Sequence, residues 1–157
     1  MHNAGVRAVG RLVAVLLLGM GVLCACDPTA SPLTVADVYL SSRQAGDLDS
    51  AVAMFAAGAA VRAPNEVVYT GPAQIRSWLE VTLRDYYYQP QDAPAQVGDR
   101  VFWTENLYSR SSGKWVGEVS SDVQISADHI QSMKSAVVKG ASGVICPLCP
   151  PLITSPG

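Results

Sequence analysis

The sequence predicts an α+β domain in which three N-terminal helices pack on a strongly curved, mostly antiparallel sheet. Two observations support this class: apolar residues repeat at helical spacing up to about residue 86, and later segments alternate between apolar and polar residues. Helices that precede strands along the chain are typical of α+β folds. The chain has 157 residues and is 49% apolar, which is enough for one core, and no internal repeat or long linker divides it.

Three helices are predicted before residue 87. Thr34 is expected to cap the first, which ends at Gly46, and Asp47 is expected to cap a short second helix. Gly71 and Pro72 open the third helix, because proline is favoured in a first helical turn. The apolar stripe of the third helix is formed by Ile75, Trp78, Leu79, Thr82, Leu83 and Tyr86.

The predicted strands lie between the helices and after them. Short strands are expected at 59–64 and 67–70, and the two prolines of 87–97 favour an edge or irregular strand. Segments 100–109 and 114–126 flank a turn at 110–113 and should form a hairpin, followed by a tight turn and a last strand at 130–138.

Residues 1–25 predict a lipoprotein signal peptide. Arg7 and Arg11 give a positive start, and the following apolar run of 12 residues is too short for a membrane span, which needs about 20. The Leu-Cys-Ala sequence before Cys26 resembles the lipobox of bacterial lipoproteins. We therefore expect Cys26 to carry acyl chains such as palmitate and to anchor an extracytoplasmic domain to the cell membrane. An ordinary signal peptide that leaves Cys26 as a thiol is the alternative.

Processing would change the charge and the cysteine content. Without Arg7 and Arg11, nine basic residues face thirteen acidic ones, a net charge of −4, so the anchor rather than the protein surface would hold the chain at anionic lipid. Cys146 and Cys149 then remain as a pair, and a disulfide is the simplest expectation for an exported protein. Bonds to a partner or free thiols are the alternatives. The expected divisions are a tether at 26–32, a domain at 33–138 and a tail containing proline and cysteine at 139–157.

The charge balance and the composition exclude some functional classes. Only 15% of residues are charged and the net charge is −2, which excludes a disordered acidic tail and a general nucleic-acid binder. The mature chain would keep one histidine, His129, in a turn, so no metal or cofactor is expected.

The order of elements and several motifs resemble the nuclear transport factor 2-like superfamily, in particular its SnoaL-like and ketosteroid-isomerase-like branches. The motifs are AGDLDSAVAMFA (45–56), AAVRAP (59–64), YTGPAQIRSWL (69–79) and SDVQISADHIQSM (121–133). The resemblance implies a cone-shaped fold with a cavity between the long helix and the concave face of the sheet. Such folds host isomerases, hydrolases, cyclases and non-catalytic binders, so function has to be argued from the site.

The resemblance also implies an incomplete catalytic set. Tyr39 and Asp122 match the tyrosine and the aspartic acid that donate hydrogen bonds to the enolate in the isomerase branch, whereas the position of the general base is Ala63. A methyl group cannot remove a proton, so steroid isomerase chemistry is not expected. The epoxide hydrolases of the superfamily need an arginine between two aspartates, but Arg62 and Arg100 are expected on the outer surface.

Two features of the hairpin leave alternatives open. A turn at 110–113 would place Glu105 opposite Glu118, either as an acid/base pair or, more simply, on a solvated face. Along 115–125, hydrophobicity turns Trp115, Val119, Val123 and Ile125 inward and leaves Asp122 in water. The resemblance instead points Asp122 into the cavity and the apolar set toward a partner subunit, and we expect this second arrangement.

Nine residues are expected to line the cavity: Tyr39, Val61, Ala63, Trp78, Trp103, Glu105, Ser120, Asp122 and Met133. The leading hypothesis is a lipid-anchored binding domain for a small apolar ligand or for an envelope protein. An isomerase- or hydrolase-like enzyme that uses Asp122 with Tyr39 or Glu105 is the alternative. A homodimer through the outer face of the sheet is also expected.

Overall fold

A computed structural model describes residues 30–140. Its elements, in order, are α1 (Pro32–Ala45), α2 (Leu48–Ala53), β1 (Phe55–Arg62), β2 (Val68–Thr70), α3 (Gly71–Asp85), β3 (Tyr86–Pro90), β4 (Ala95–Val97), β5 (Arg100–Ser109), β6 (Trp115–Ser126) and β7 (His129–Gly140). The predicted signal peptide, Cys26, Cys146 and Cys149 lie outside the described residues. Within them, no helix is both long and apolar enough to span a bilayer.

Local sequence explains where the helices begin and end. Ser31, rather than the expected Thr34, caps α1, because its side chain accepts the amide of Thr34. Gly46 ends α1 in the left-handed region at φ 73°, where a residue without Cβ is favoured. Asp47 caps α2 by accepting the amide of Ser50, as predicted.

Seven strands form one sheet in the order β2-β1-β7-β6-β5-β3, with β4 paired to the same strand as β3. All pairings are antiparallel except that between β1 and β7, which confirms the mostly antiparallel expectation. The proline-containing segment after α3 forms two short edge strands on β5.

The three helices cover one face of the sheet, here called the inner face, and the opposite side is the outer face. The main core joins residues from all three helices to inner-face residues of the strands. On β5 these are Val101 and Trp103, and on β6 they are Val123 and Ile125. Burial of this continuous apolar surface is the main stabilising contribution to the fold.

A β-bulge changes the register of the β5–β6 hairpin. The turn lies at 110–113 as predicted, since the amide of Ser109 donates to the carbonyl of Lys114. Tyr108 then pairs with Trp115 and Leu107 with Gly117, so β6 has one extra residue, Val116. From Gly117 onward each residue of β6 therefore faces the opposite way from a regular hairpin.

The bulge corrects two predictions. Glu105 lies opposite Val119, and Glu118 lies opposite Asn106, so the expected pair of carboxylates does not form. Trp115 does not share the inner face with Val119; its Nε1 donates to Oδ1 of Asn106 on the outer face.

Candidate ligand-binding site

A buried ion pair lies on the inner face, between α1 and β5. Nη2 of Arg43, from the last turn of α1, bonds to Oε1 of Glu105 on β5, and Nε1 of Trp103 donates to Oε2 of the same carboxylate at 3.0 Å. Arg43 and Glu105 are only 4% and 1% exposed. Both oxygens of Glu105 are thus engaged, and its charge is compensated inside the protein, so the carboxylate is not poised to remove a proton from a substrate.

Tyr39 lies beside this pair but is enclosed in the core. Its ring packs edge-on against Phe55 at 5.4 Å and tilts toward Trp103 at 6.2 Å. The hydroxyl is buried and finds no hydrogen-bond partner among the described residues. Burial raises the pKa of Tyr39, because the phenolate would be poorly solvated there.

We predict that Tyr39→Phe reduces the loss of stability at alkaline pH. The raised pKa of Tyr39 means that, above about pH 10, only the unfolded chain loses this proton, so the free energy of unfolding falls with pH. Removing the hydroxyl should make this fall shallower by up to about 1.4 kcal/mol per pH unit. At pH 7 the free energy of unfolding of the variant should be at most about 1 kcal/mol below that of the wild type, because the hydroxyl that is removed has no hydrogen-bond partner.

Urea unfolding at several pH values between 7 and 11 measures this effect. Burial also raises the pKa of Tyr88, so Tyr88→Phe should shift the profile in the same direction. If the free energy of unfolding of Tyr39→Phe fell with pH as steeply as that of the wild type above pH 10, the prediction would be contradicted.

A cavity of about 430 Å³ opens next to the ion pair, between the ends of α1 and α3 and strand β3; it is here called the mouth cavity. Its walls include Arg43, Gln44, Leu83, Tyr87, Tyr88 and Arg110, and Gln89 and Pro90 complete its edge. Its volume falls in the range of small-molecule sites. The cavity lies at the end of α1 opposite to the predicted tether.

Two arginines hold fixed positions in the mouth cavity. The guanidinium of Arg43 stacks over the ring of Tyr88 at 4.3 Å. Nε of Arg110 donates to the carbonyls of Leu83 at 2.6 Å and Tyr86 at 2.9 Å, which ties the hairpin turn to the end of α3. Tyr87, which stacks on Tyr108 at 5.1 Å, lies 6.0 Å from the same guanidinium.

Asp122 and Ser120 lie on the outer face, so the expectation that they line an inner cavity is wrong. Asp122 forms an ion pair with Arg100, including a bond of 3.0 Å from Nε. It alternates along β6 with the buried Val123. Hydrophobicity, rather than the resemblance, therefore gave the right orientation of this strand. Tyr39 and Asp122 stand on opposite sides of the sheet and cannot act on one substrate.

The other predicted lining residues are divided between the core and a smaller cavity. Val61 and Met133 are adjacent in the parallel pair of strands and are buried in the core. Ala63 and Trp78 line a cavity of about 200 Å³, where Trp78 stacks on Tyr69 at 6.1 Å. Of the predicted set, the structure thus brings Tyr39, Trp103 and Glu105 together in the core, and Asp122 and Met133 together at a cavity of about 430 Å³ on the outer face.

The residues that define the mouth cavity were not predicted from the sequence. One signal was available: Arg43 follows Tyr39 by four residues, on the buried face of α1. Glu105 shares one face of β5 with Val101, Trp103 and Leu107. Period two therefore places a carboxylate among buried residues, where it needs a partner. Within residues 30–140, no group of three histidine, cysteine, aspartate or glutamate side chains could hold a metal ion.

No family model and no curated protein matches the chain. Solved structures do match it. An uncharacterized cystatin-fold protein from Novosphingobium aromaticivorans superposes with a TM-score of 0.58 at 19% identity, covering 68% of this chain and 97% of its own. A protein of unknown function from Cytophaga hutchinsonii, described as similar to nuclear transport factor 2, gives 0.60 at 11% identity, with 71% and 93% covered. A candidate isomerase of the SnoaL-like family from Agrobacterium tumefaciens gives 0.57 at 18% identity, with 67% and 95% covered.

These similarities establish the fold. The chain contains an α+β domain of the nuclear transport factor 2-like or cystatin-like class, and the predicted fold class is confirmed. Its structural neighbours include SnoaL-like and ketosteroid-isomerase-like proteins. At sequence identities of 10–19%, these structures establish only the fold of this chain.

Proposed function

We propose that this chain is a non-catalytic binding domain for a small organic molecule, exported and held at the cell membrane by a lipidated Cys26. The observation that carries the proposal is the contrast between the two parts of the inner face. On the inner face, Tyr39 is enclosed in the core and Glu105 is paired with Arg43. The mouth cavity beside this ion pair, in contrast, is open and large enough for a ligand.

The proposed anchor is compatible with access to the mouth cavity. The proposed tether at 26–32 joins α1 at Pro32. Arg43 lies eleven residues further along the helix, roughly 17 Å from that entry point. The point where the proposed tether joins α1 and the ligand site therefore lie at opposite ends of the helix.

An enzyme that combines Asp122 with Tyr39 lacks the necessary geometry. The two groups are on opposite faces, and Ala63 is buried in the position that the resemblance assigns to a base. Glu105 is held by Arg43 and Trp103. The mouth cavity, rather than a catalytic set, is the feature that supports a function.

An interaction through the outer face stays a prediction with weaker support. The apolar residues of β6 that were expected to form this surface face inward from Gly117 onward, and the polar residues of the strand face outward. The cavity on that face is lined by Arg62, Arg100, Asp122 and Lys134, among others. Size-exclusion chromatography of the soluble domain tests the homodimer directly.

We predict that Leu83→Trp weakens binding of the fluorescent neutral probe N-phenyl-1-naphthylamine by about tenfold or more. The indole would occupy the mouth cavity, which Leu83 lines, and a loss of about 1.4 kcal/mol in contacts corresponds to tenfold. Fluorescence titration of the purified domain measures the dissociation constant. Ser132→Trp, which adds the same ring to the outer-face cavity, is the matched control and should leave binding unchanged. No saturable binding, or equal effects of both variants, would overturn the proposed function.

A further inference from the structure

The walls of the mouth cavity carry positive charge and no acidic side chain. Its eight lining residues contain two arginines, Arg43 and Arg110, and no aspartate or glutamate. The positive charge of the cavity walls contrasts with the net charge of −4 that is expected for the mature chain. Charge in a concave site acts on a ligand at short range, and salt screens it in part where the site is open to solvent.

Arg43 contributes a fixed guanidinium rather than a free charge. Its Nη2 is bound to Glu105, which balances its charge from the core side, and its pKa is raised because the nearby Tyr39 and Glu105 outweigh the opposing effect of burial. Its buried Nε has no partner among the described residues. A nine-tenths buried cationic side chain with an unpaired donor thus forms part of the cavity wall.

Arg110 supplies the uncompensated charge. Within residues 30–140 it makes no ion pair, and its Nε is occupied by the carbonyls of Leu83 and Tyr86. These bonds fix the guanidinium at the cavity, so its position costs little entropy when a ligand binds. A planar guanidinium is well suited to a carboxylate, sulfonate or phosphate group, which it can bind through two donors.

Aromatic rings provide the apolar part of the site. Tyr88 lies under Arg43 and Tyr87 lies beside Arg110, while Leu83 adds an aliphatic wall. We propose that the mouth cavity binds an organic anion with an aromatic or aliphatic body, its acid group on Arg110 and its body against Tyr88 and Leu83. This inference rests on the proposed function and adds the chemical class of its ligand.

The experiment compares two probes that differ by one sulfonate group. The wild-type domain should bind 8-anilinonaphthalene-1-sulfonate about tenfold more tightly than N-phenyl-1-naphthylamine, because a charge-assisted hydrogen bond is added. The preference should shrink as sodium chloride is raised, since an ionic contact is screened. Equal affinities for both probes would overturn the anion inference but leave the proposed function standing. If Leu83→Trp weakened the binding of neither probe, no ligand would bind in the mouth cavity, and both proposals would be overturned.

Two variants locate the anion contact. Arg110→Met should abolish the preference for the sulfonate. Because Arg110 also holds the end of α3, Gln89→Glu serves as a second variant that adds an acid to the exposed rim without removing a structural bond. It should weaken binding of the sulfonate about tenfold more than binding of the neutral probe. The matched control is Gln74→Glu at the other end of α3, where the side-chain oxygen that accepts the amide of Thr70 is retained.

Phosphatidylglycerol vesicles, added as competitors, distinguish the source of the anion. If the vesicles displace the sulfonate probe from the protein, the natural anion is a lipid headgroup. If they do not displace it, the natural anion is a free organic molecule. A preference for the sulfonate that survives in both Arg110→Met and Gln89→Glu would overturn the inference.

Discussion

Glu105→Gln is expected to lower the free energy of unfolding by about 3–5 kcal/mol. The substitution keeps the size of the side chain but leaves the guanidinium of Arg43 buried without a compensating charge. Transfer of an unpaired charge into the protein interior is costly, and Arg43 cannot avoid this cost by becoming neutral, because an arginine keeps its proton in proteins. Since domains of this size are stable by about 5–15 kcal/mol, the loss would be a large fraction of the total.

Urea unfolding at pH 7, followed by circular dichroism, measures this loss. Asp122→Asn is the matched control, because it makes the same chemical change in the partly exposed ion pair with Arg100 on the outer face. It should cost less than about 1 kcal/mol. The double variant Arg43→Met with Glu105→Leu should recover most of the stability, since a well-packed apolar pair replaces both charges. A cost for Glu105→Gln no larger than that of Asp122→Asn would contradict the central place given to the buried pair.

The fold could be predicted because it depends on local patterns. Gly46 and Asp47 each give a signal that needs no distant information, a left-handed helix end and a side-chain cap. The third helix begins at Gly71 as its Gly-Pro start predicted, and β5 and the part of β6 after Gly117 follow period two. Such signals specify which elements form and in what order, and the order is enough to indicate the α+β class.

The site could not be predicted to the same extent, because it depends on contacts between distant parts of the chain. Arg43 and Glu105 are 62 residues apart in sequence, so neither residue alone reveals the pair. The mouth cavity likewise needs the end of α1, the end of α3 and the hairpin turn to meet. Each segment is unremarkable in the sequence, and only the tertiary fold makes them a site.

Asp122 shows how a resemblance can mislead where elementary physics does not. Period-two alternation places Val119 and Val123 on one face of β6 and Asp122 on the other, and the structure follows it. Matching Asp122 to an aspartic acid of the isomerase branch required the opposite orientation. Burying the apolar set is worth several kcal/mol, and this decides the orientation of the strand.

Gly117 of β6 lies against the backbone of β7, and Gly117→Ala is expected to lower the free energy of unfolding by about 1–3 kcal/mol. A Cβ at this position would lie 2.7 Å from the carbonyl oxygen of Lys139 and 3.5 Å from the Cα of Gly140. Both contacts are with the backbone of the neighbouring strand β7, so no side chain can rotate away to relieve them.

Gly58→Ala is the matched control for this effect. Its added Cβ would meet nothing within 4 Å, so stability should change by less than about 0.5 kcal/mol. The two variants are compared by their urea midpoints at equal slopes of the unfolding transition. If Gly117→Ala were as stable as Gly58→Ala, strands β6 and β7 could not approach as closely as described.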